Sequence, residues 1–388
     1  MYKKYYKNFL EANKGLQHYA AHSHHYWPDV TRAATMAYWD DSAKKVDAKW
    51  NYFFSEKIPA TQKLIAEILN LSHPEQIVFA PNTHEFIFRL VSCFPPTKPL
   101  RILTTDSEFY SFERQINRLA EDHLVSVEKI STEPFATFEK RFIHAIQDNQ
   151  YDLIFLSHVF FNSGYVVENL EALVQSVQQP DTIVVIDGYH SFMAIPTDLS
   201  KIQHRVFYLS GSYKYAQGGE GCCFLSVPKD CVLRPTYTGW FAGFDNLSTE
   251  GSTTTYANDG SRFAGSTLDF TALYRLQAVL KLFHDDSVTV PNIHHYVQKI
   301  QDQFLHHLSQ IGCPVLSEKN LLMKNRNKHG HFLTFQMNSS KSAESLYIYL
   351  LSNNIRTDVR GSRIRFGFGL YHDGSFNLEC LKKLSLSV

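Results

Sequence analysis

The first two thirds of the chain alternate between short apolar runs and segments with helical spacing of apolar positions. Short apolar runs bounded by turn residues are typical of parallel strands that are buried on both faces. Such runs predict strands at Gln76–Ala80, Leu100–Thr104, Leu153–Ser157, Thr182–Ile186, Val206–Leu209 and Cys222–Val227. Helical patterns lie between several of them, at Phe112–Glu121, Phe138–Ile146 and Leu170–Gln178. The alternation predicts an α/β fold in which helices cover both faces of a mostly parallel sheet.

The last third of the chain has a different order of predicted elements. A helical pattern from about Phe270 to Phe283 is followed by a break at Pro291 and by a second helix over Ile293–Gln310. After these come a strand at His331–Gln336, a helix at Ala343–Asn353, a strand at Arg363–Phe368 and a final helix. We therefore expect a large domain over residues 1–280, including the N-terminal segment, and a smaller α+β domain over residues 281–388.

Composition limits the partners that fit this chain. Lys plus Arg and Asp plus Glu number 38 each among 388 residues, so the formal net charge is zero. Without a basic excess, we expect neither a nucleic acid nor an anionic membrane surface as the main partner. Apolar residues make up 44% of the chain, which is enough for a sizeable core and argues against disorder.

Cysteine usage and the start of the chain indicate a compartment. The six cysteines contain no CxxC pair, a usage typical of a reduced protein. The basic start lacks the apolar region of a secretory signal. No window approaches the roughly 20 apolar residues that span a bilayer. We expect a soluble, cytoplasmic protein.

Two residues at predicted strand ends are the main candidates for chemistry, because ligands of open α/β sheets bind beyond the carboxyl ends of the strands. Asp187 follows one strand, where its carboxylate is placed either to meet a cationic ring nitrogen or to cap a helix. Lys214 follows the next strand, between two tyrosines. A lysine among aromatic side chains loses solvation, which lowers its pKa and makes it a nucleophile, although most lysines beside turns are ordinary surface residues.

Two earlier strand ends carry weaker signals. Asn82 and Thr83 follow the first predicted strand and precede a helix, whose N-terminus either binds an anion or is simply capped by these side chains. Phe109 follows the second strand, and its ring is a candidate for stacking on a flat cofactor or for the core. The glycine-rich segment 218–221 matches neither GxxxxGK[ST] nor GxGxxG, so a nucleotide loop is not expected.

The order of these groups indicates one kind of cofactor. An electron-sink cofactor needs a carboxylate at its pyridine nitrogen, a lysine that forms a Schiff base and a helix end that holds its phosphate. Asp187, Lys214 and the turn at residues 82–83 are candidates for those three groups. The sequence therefore predicts pyridoxal 5′-phosphate as the cofactor.

The segments around these residues resemble the class V aminotransferase superfamily of fold-type I pyridoxal-phosphate enzymes. The motifs are Asp187-Gly-Tyr-His190, Ser212-Tyr-Lys-Tyr-Ala-Gln-Gly-Gly-Glu-Gly221 and Gly239-Trp-Phe241. They are nearest to the kynureninase branch, whose pattern is D-x-x-H, Y-K-Y-x-x-x-G-x-G and G-W-F. The likeness extends from His22 to Tyr371. It implies a large domain built on a mostly parallel, seven-stranded type of sheet, and a homodimer with shared active sites.

The resemblance implies a role in cofactor binding for each matching residue. Lys214 would carry the Schiff base and move protons, Asp187 would pair with the ring nitrogen, and His190 would lie beside the ring. The other implied cofactor contacts are ring stacking by Phe109, phosphate binding by Asn82, Thr83 and Tyr213, and phosphate contacts across the dimer interface by Trp240 and Thr267.

Substrate recognition is where the chain departs from the kynureninase pattern. The family's F-P-S-D turn is replaced by the sequence Phe109-Tyr-Ser-Phe112. The candidates for substrate contacts are Arg365, which matches the arginine that holds the substrate carboxylate, Arg360 as its alternative, and His22, His24 and Asn162. A metal site at the N-terminal histidines is not expected, because no Cys or carboxylate partner lies at ligand spacing.

These residues favour an enzyme that acts on an amino acid by transamination or by cleavage of a C–C or C–X bond. The alternative is a catalytically silent protein that keeps the fold and binds a ligand, but the chain retains Asp187, Lys214 and Arg365. A cysteine desulfurase is disfavoured, because that branch has a catalytic cysteine shortly before the C-terminal arginine. The stretch from Gln336 to Arg365 contains no cysteine.

Overall fold

The computed structural model describes residues 2–95, 97–249, 251 and 253–384. Its helices are α1 (Lys7–Ala12), α2 (Val30–Lys45), α3 (Lys49–Tyr52), α4 (Ile58–Leu69), α5 (Thr83–Val91), α6 (Tyr110–Glu121), α7 (Phe135–Asp148), α8 (Leu170–Gln175), α9 (Thr271–Asp285), α10 (Val290–Gln310) and α11 (Ser340–Ser352). Its strands are β1 (Gln17–His18), β2 (Ile77–Ala80), β3 (Leu100–Thr105), β4 (Val125–Ile130), β5 (Leu153–Ser157), β6 (Ile183–Asp187), β7 (Val206–Gly211), β8 (Cys223–Ser226), β9 (Phe332–Gln336), β10 (Ile355–Arg356), β11 (Asp358–Arg360) and β12 (Arg363–Gly367).

A seven-stranded sheet in the order β2-β8-β7-β6-β5-β3-β4 forms the centre of the larger part of the fold. Neighbouring strands are parallel from β7 to β4, whereas β8 runs antiparallel to both β7 and β2. All six strands expected in this region are present, with ends that shift by one or two residues. The predicted α/β class with a mostly parallel sheet is confirmed.

Strand β4 is the member of this sheet that the sequence pattern missed. It lies at the edge of the sheet, and of its six residues only Val125 is buried. Ser126, Glu128 and Lys129 are exposed. A half-polar edge strand lacks the continuous apolar run by which strands buried on both faces are recognised.

A three-stranded antiparallel sheet, β11-β12-β9, lies in the C-terminal part of the chain, with α11 between its strands in sequence. The short strand β1 near the N-terminus pairs in parallel with β10. An isolated bridge between Ala20 and Gly367 continues this contact. The N-terminal segment is therefore bound to the C-terminal sheet region.

Two predictions for the C-terminal part were inaccurate. Helix α10 begins at Val290, so Pro291 lies in its first turn, where a proline is tolerated because the first amides have no helical partner. The expected final helix is wrong for the described residues, which form only a 3₁₀ turn at Glu379–Lys383. Gly374, with a φ of 84°, lies in the left-handed region shortly before this turn.

Two clusters of buried apolar side chains stabilise the fold. The larger surrounds the central sheet, where Phe112 of α6 stacks on Phe155 of β5 with ring centroids 3.8 Å apart. The smaller lies between α10, α11 and the C-terminal sheet and includes Tyr19. The boundary at residues 280–281 stays a prediction, and α9 continues through it.

Helix hydrophobicity and the state of the cysteines also bear on the expectations from the sequence. Within the described ranges, no helix is both long and apolar enough to cross a membrane. All six cysteines are free thiols, and Cys222, Cys223 and Cys313 are buried.

Candidate active site

A cavity of about 200 Å³ lies beyond the carboxyl ends of the central strands. Parallel strands end at the same edge of a sheet, so side chains from distant parts of the sequence meet there. Seven of the predicted cofactor residues line this one cavity: Asn82, Thr83, Phe109, Asp187, His190, Tyr213 and Lys214. Its other lining residues are Ser111, Ser157, Val159, Phe161 and Tyr189.

Lys214 is buried in the segment that follows β7. Its Nζ lies 2.7 Å from His190 Nε2 and 4.9–5.0 Å from the ring centroids of Tyr189 and Phe109. Burial lowers the pKa of Lys214, and the positive charge of Arg365 lowers it further, whereas Asp187 opposes the shift. The amine therefore becomes neutral at a lower pH than an exposed lysine, which is the state that attacks a carbonyl.

Asp187 is the last residue of β6, opposite Ser157 of β5 and Leu209 of β7. One carboxylate oxygen accepts the backbone N–H of Tyr189 at 2.8 Å, which closes a turn, and no helix begins here. Burial raises the pKa of Asp187, while the Tyr189 amide and Lys214 oppose the shift. A cation beside this carboxylate would offset the desolvation cost of its negative charge and lower its pKa.

His190 follows the same turn and is buried against Lys214. Burial, with smaller effects from the charges of Lys214 and Arg365, holds its pKa well below the ordinary value. The imidazole is therefore neutral near pH 7. Its Nδ1 is buried and has no hydrogen-bond partner among the residues that the structure describes. A buried polar atom without a partner is costly, so this nitrogen is free for a ligand.

The N-terminus of α5 opens on the cavity. Asn82 caps this nine-residue helix, and its side-chain oxygen accepts the backbone N–H of Glu85 at 3.1 Å. Thr83 is the first helical residue and is buried. The helix dipole and the free amides of the first turn favour an anion at this end. The capping and anion-binding interpretations are therefore compatible.

Phe109 lies at the entrance to α6, and its ring forms an edge contact with Phe161 at 5.3 Å between centroids. Tyr189 approaches Lys214 from another side, and its position depends on Gly211. A Cβ atom at Gly211 would collide with the Tyr189 hydroxyl group. The cavity thus has flat aromatic side chains around its amine.

Three of the predicted substrate residues, Arg365, Arg360 and His22, form a second group centred on Asp358 rather than on Lys214. Arg365 donates from Nη2 to Asp358 Oδ2 at 2.5 Å, and Arg360 Nη1 lies 2.8 Å from the other carboxylate oxygen. Arg365 also donates to the backbone carbonyl of Phe161, a cavity residue. His22 is fully buried, with Nε2 3.7 Å from Asp358 Oδ2. Both candidate arginines therefore share one carboxylate.

Four other predicted residues do not line the cavity. Asn162 donates from Nδ2 to Ser107 Oγ at 3.0 Å, and its Oδ1 is buried without a partner among the described residues. His24 is exposed, and its ring lies 6.0 Å from that of Tyr213. Trp240 and Thr267 form a pair outside the Lys214 cavity, in which Trp240 Nε1 donates to Thr267 Oγ1 at 3.2 Å.

Sequence reasoning missed three polar residues of the site. Glu108 is buried beside the cavity, where it accepts hydrogen bonds from Ser157 Oγ at 2.5 Å and from Thr105 Oγ1 at 2.7 Å. Burial raises the pKa of Glu108 to about 7, against the effect of those hydrogen bonds. The rule of strand ends would have found Ser157 and Glu108, whereas nothing in the sequence connects Asp358 with Arg365 and His22.

The residues present fit pyridoxal 5′-phosphate. A carboxylate for the ring nitrogen, an amine for the aldehyde, an anion-binding helix end for the phosphate and an aromatic ring for stacking line the same cavity. A metal-dependent site has less support. Among residues 2–95, 97–249, 251 and 253–384 there is no group of three or more His, Cys, Asp or Glu side chains arranged to hold a metal ion.

Comparison with known proteins identifies relatives of similar sequence and solved structures of similar fold. An uncharacterized aminotransferase, YcbU, of Bacillus subtilis is 24% identical over 250 residues, which cover 63% of each chain. A kynureninase of Bacillus cereus is 28% identical over 203 residues, covering 49% of this chain and 45% of the relative. The match thus spans less than two thirds of both curated relatives. A solved structure of a C-DES mutant with glycine covalently linked to its PLP cofactor has a similar fold, with a TM-score of 0.79, 19% identity and coverage of 97% and 98%.

The family model described as Aminotransferase class-V matches residues 26–364. This range contains all the lining residues of the cavity, together with Asp358 and Arg360, whereas Arg365 and His22 lie just outside it. The resemblance expected from the sequence motifs is therefore confirmed at the level of the family. Because the match covers most of the chain, this protein belongs to the aminotransferase class-V family.

Proposed function

We propose that this protein is an enzyme that holds pyridoxal 5′-phosphate on Lys214 and acts on an amino acid. The observation that carries the proposal is the buried Lys214 amine, 2.7 Å from His190 Nε2, in one cavity with Asp187 and the N-terminus of α5. When bound, pyridoxal phosphate supplies an aldehyde that links to amines and a ring that delocalises electrons from the substrate's Cα.

Lys214 has two tasks in this proposal. Its lowered pKa keeps a fraction of the amine neutral near pH 7, so Nζ is able to attack a carbonyl. Once displaced by the substrate's amine, the same Nζ accepts and donates a proton at the reacting carbon. His190 is neutral and lies within hydrogen-bond distance, so it orients Nζ without adding a second positive charge.

Asp187 provides the negative charge that a protonated ring nitrogen needs. The Tyr189 amide fixes the orientation of its carboxylate, and burial makes its charge costly in the absence of a cation. A cationic ring nitrogen at this position lowers the pKa of the carboxyl group, and the carboxylate in turn keeps the nitrogen protonated. Binding of the cofactor and the withdrawal of electrons by its ring would therefore depend on the same ion pair.

The reaction we propose is transamination or kynureninase-like hydrolytic cleavage. Both begin with removal of a proton from Cα, whose electron pair stays on the substrate side, and both use a lysine as general acid and base. A desulfurase activity has less support, because no cysteine occurs between Gln336 and Arg365. A silent ligand-binding protein also has less support, because Lys214 and Asp187 are both present in the cavity.

We also propose a homodimer with shared active sites. Trp240 and Thr267 are bonded to each other outside the Lys214 cavity. Thr267 lines a neighbouring depression with Tyr237 and Phe88, whose exposed rings stack 4.1 Å apart. Exposed stacked rings beside a predicted phosphate contact support a second copy of the chain at this face.

Lys214→Ala removes the amine that forms the link to the cofactor. We expect purified protein supplied with pyridoxal phosphate to lose the near-visible absorbance band that borohydride bleaches, and turnover to fall by about 10³-fold or more. Lys201→Ala is the matched control, because Lys201 is exposed and pairs with Glu171 on the surface. A borohydride-sensitive band in the Lys214 variant would show that another amine carries the cofactor.

Asp187→Asn keeps the size of the side chain and removes its charge. We expect cofactor affinity, measured by titration of the cofactor-free protein, to fall by about tenfold and turnover by about 10²-fold, since a protonated ring nitrogen loses its partner. Asp198→Asn, at an exposed turn closed by Ser200, is the control for a lost surface charge. Wild-type affinity and turnover in the Asp187 variant would give the ring nitrogen a different partner.

Arg365→Ala tests which arginine holds the substrate carboxylate. We expect KM for amino-acid substrates to rise by about 10- to 100-fold with a smaller change in kcat, because a uniform binding contact is lost. Arg360→Ala is the matched comparison: it removes one charge of the group around Asp358, so we expect KM to rise by about tenfold at most, less than for Arg365→Ala. The opposite order of effects would assign the carboxylate to Arg360.

Complementation of two inactive variants tests the shared active site. We expect the purified protein to have the mass of two chains in solution, and Trp240→Ala to bind the cofactor more weakly. Mixed dimers of the Trp240→Ala and Lys214→Ala chains contain one complete site if Trp240 acts across the interface, so part of the activity should return. A single-chain mass, or no recovery on mixing, would contradict the proposed dimer.

A further inference from the structure

Asp358 is the centre of a buried charge cluster beside the Lys214 cavity. Its side chain is only 10% exposed, and its two oxygens receive Arg365 Nη2 at 2.5 Å and Arg360 Nη1 at 2.8 Å. Ser23 Oγ donates to the same carboxylate at 2.5 Å. His22 Nε2 lies 3.7 Å away. One acidic side chain thus holds both arginines that the sequence offers for a substrate carboxylate.

The cluster carries one net positive charge near pH 7. The two guanidinium groups contribute two charges, and the Asp358 carboxylate offsets one of them. Burial holds the pKa of His22 well below its ordinary value, and Arg365 lowers it further, so this imidazole is neutral. Arg363 on the same strand does not add to the cluster, because it is paired with Glu133.

The surroundings of the cluster supply hydrogen-bond donors and aromatic side chains. Arg365 Nε and Arg360 Nε are buried and lack a hydrogen-bond partner among the residues that the structure describes. Phe161 and Phe332 lie against the Arg365 guanidinium, with ring centroids 6.0 and 5.7 Å from its central carbon. A charge placed among aromatic side chains must be matched by an opposite charge, because water is not available to solvate it.

The cluster lies close enough to Lys214 to act on a ligand that is bound there. Arg365, Asp358 and Arg360 all contribute to the shift in the pKa of Lys214, and Arg365 donates to the carbonyl of the cavity residue Phe161. An amino acid whose amine is at Lys214 would therefore direct its carboxylate towards these arginines.

We propose that Asp358 determines substrate specificity by limiting the pocket to amino acids with a single carboxylate. One net positive charge matches one α-carboxylate, whereas a second carboxylate would meet the Asp358 charge and have no cation left to pair with. Like charges in a desolvated pocket discriminate between ligands more strongly than lost contacts do. This inference rests on the proposed function, because it takes the Lys214 cavity as the amino-acid site.

The test compares a monocarboxylic and a dicarboxylic amino acid on the holoenzyme. L-alanine and L-aspartate are titrated, and the change in cofactor absorbance gives a Kd for each. We expect the wild type to favour alanine. Asp358→Asn adds one net positive charge, so we expect aspartate to gain about tenfold in affinity relative to alanine. An unchanged ratio of the two Kd values would overturn the proposal.

Two further variants separate charge from structural damage. Asp358→Asn combined with Arg360→Gln returns the cluster to one net positive charge, and we expect the wild-type preference to return. Asp302→Asn removes an exposed carboxylate that pairs with Arg326 in the same part of the chain, and we expect it to leave the preference unchanged. A preference for aspartate that persists in the double variant, or that arises in the Asp302 variant, would overturn the role of Asp358.

A second readout distinguishes failure of this inference from failure of the proposed function. Propionate and succinate carry one and two carboxylates without an amine, and their binding is followed by the change in melting temperature. We expect propionate to stabilise the wild type more than succinate, and Asp358→Asn to reverse that order. If amino acids leave the cofactor spectrum unchanged while this reversal occurs, the proposed enzyme function fails and the charge limit set by Asp358 stands.

If Asp358→Asn does not fold, Arg360→Gln alone still tests the inference. It reduces the net charge of the cluster to zero while Asp358 keeps its contact with Arg365. We expect the affinity for propionate to fall by about tenfold. Unchanged affinity would overturn the proposal.

Discussion

Lys214 and Asp187 are opposite charges held in the same buried cavity at the ends of two adjacent parallel strands, and the rest of the site depends on that placement. Burial makes either charge costly when it is alone, because it loses contact with water. The opposite charge of the partner reduces that free-energy cost. The pairing of β6 with β7 fixes their backbones, and the turn at Tyr189 fixes the carboxylate. Burial lowers the pKa of Lys214 and Asp187 limits that shift, so the sheet holds a partly neutral amine beside a carboxylate that is placed to meet a cation.

The central sheet and most residues that line the cavity were predictable from the sequence for the same physical reason. Strands buried on both faces need continuous apolar runs, and the polar residues that end those runs must meet at one edge. Asp187 and Lys214 were found in this way, although 26 residues separate them in the sequence. Strand β4 escaped prediction because an edge strand does not need that pattern.

The substrate side of the site was less predictable because it depends on contacts between distant segments. Arg365 and Arg360 are both suitable for a carboxylate as residue types, and only the fold places Asp358 between them. Likewise, His22 is buried against the C-terminal sheet, where its ring stacks on that of Phe332. No local sequence pattern predicts this contact. Membership of the aminotransferase class-V family agrees with the presence of Asp187 and Lys214 in one cavity. The proposed substrate preference depends instead on the net charge of the group around Asp358.

The pairing of β1 with β10 has a consequence for the order in which the protein acquires its site during synthesis. Gln17 leaves the ribosome long before its partner Ile355 is made. Until then His22 and Ser23 have no Asp358 to contact, while the strands that carry Asp187 and Lys214 are already complete. Closing so long a loop is slow relative to local folding. All residues that line the Lys214 cavity are therefore synthesised before the group around Asp358 is complete, and the proposed substrate selectivity requires strands β10 to β12.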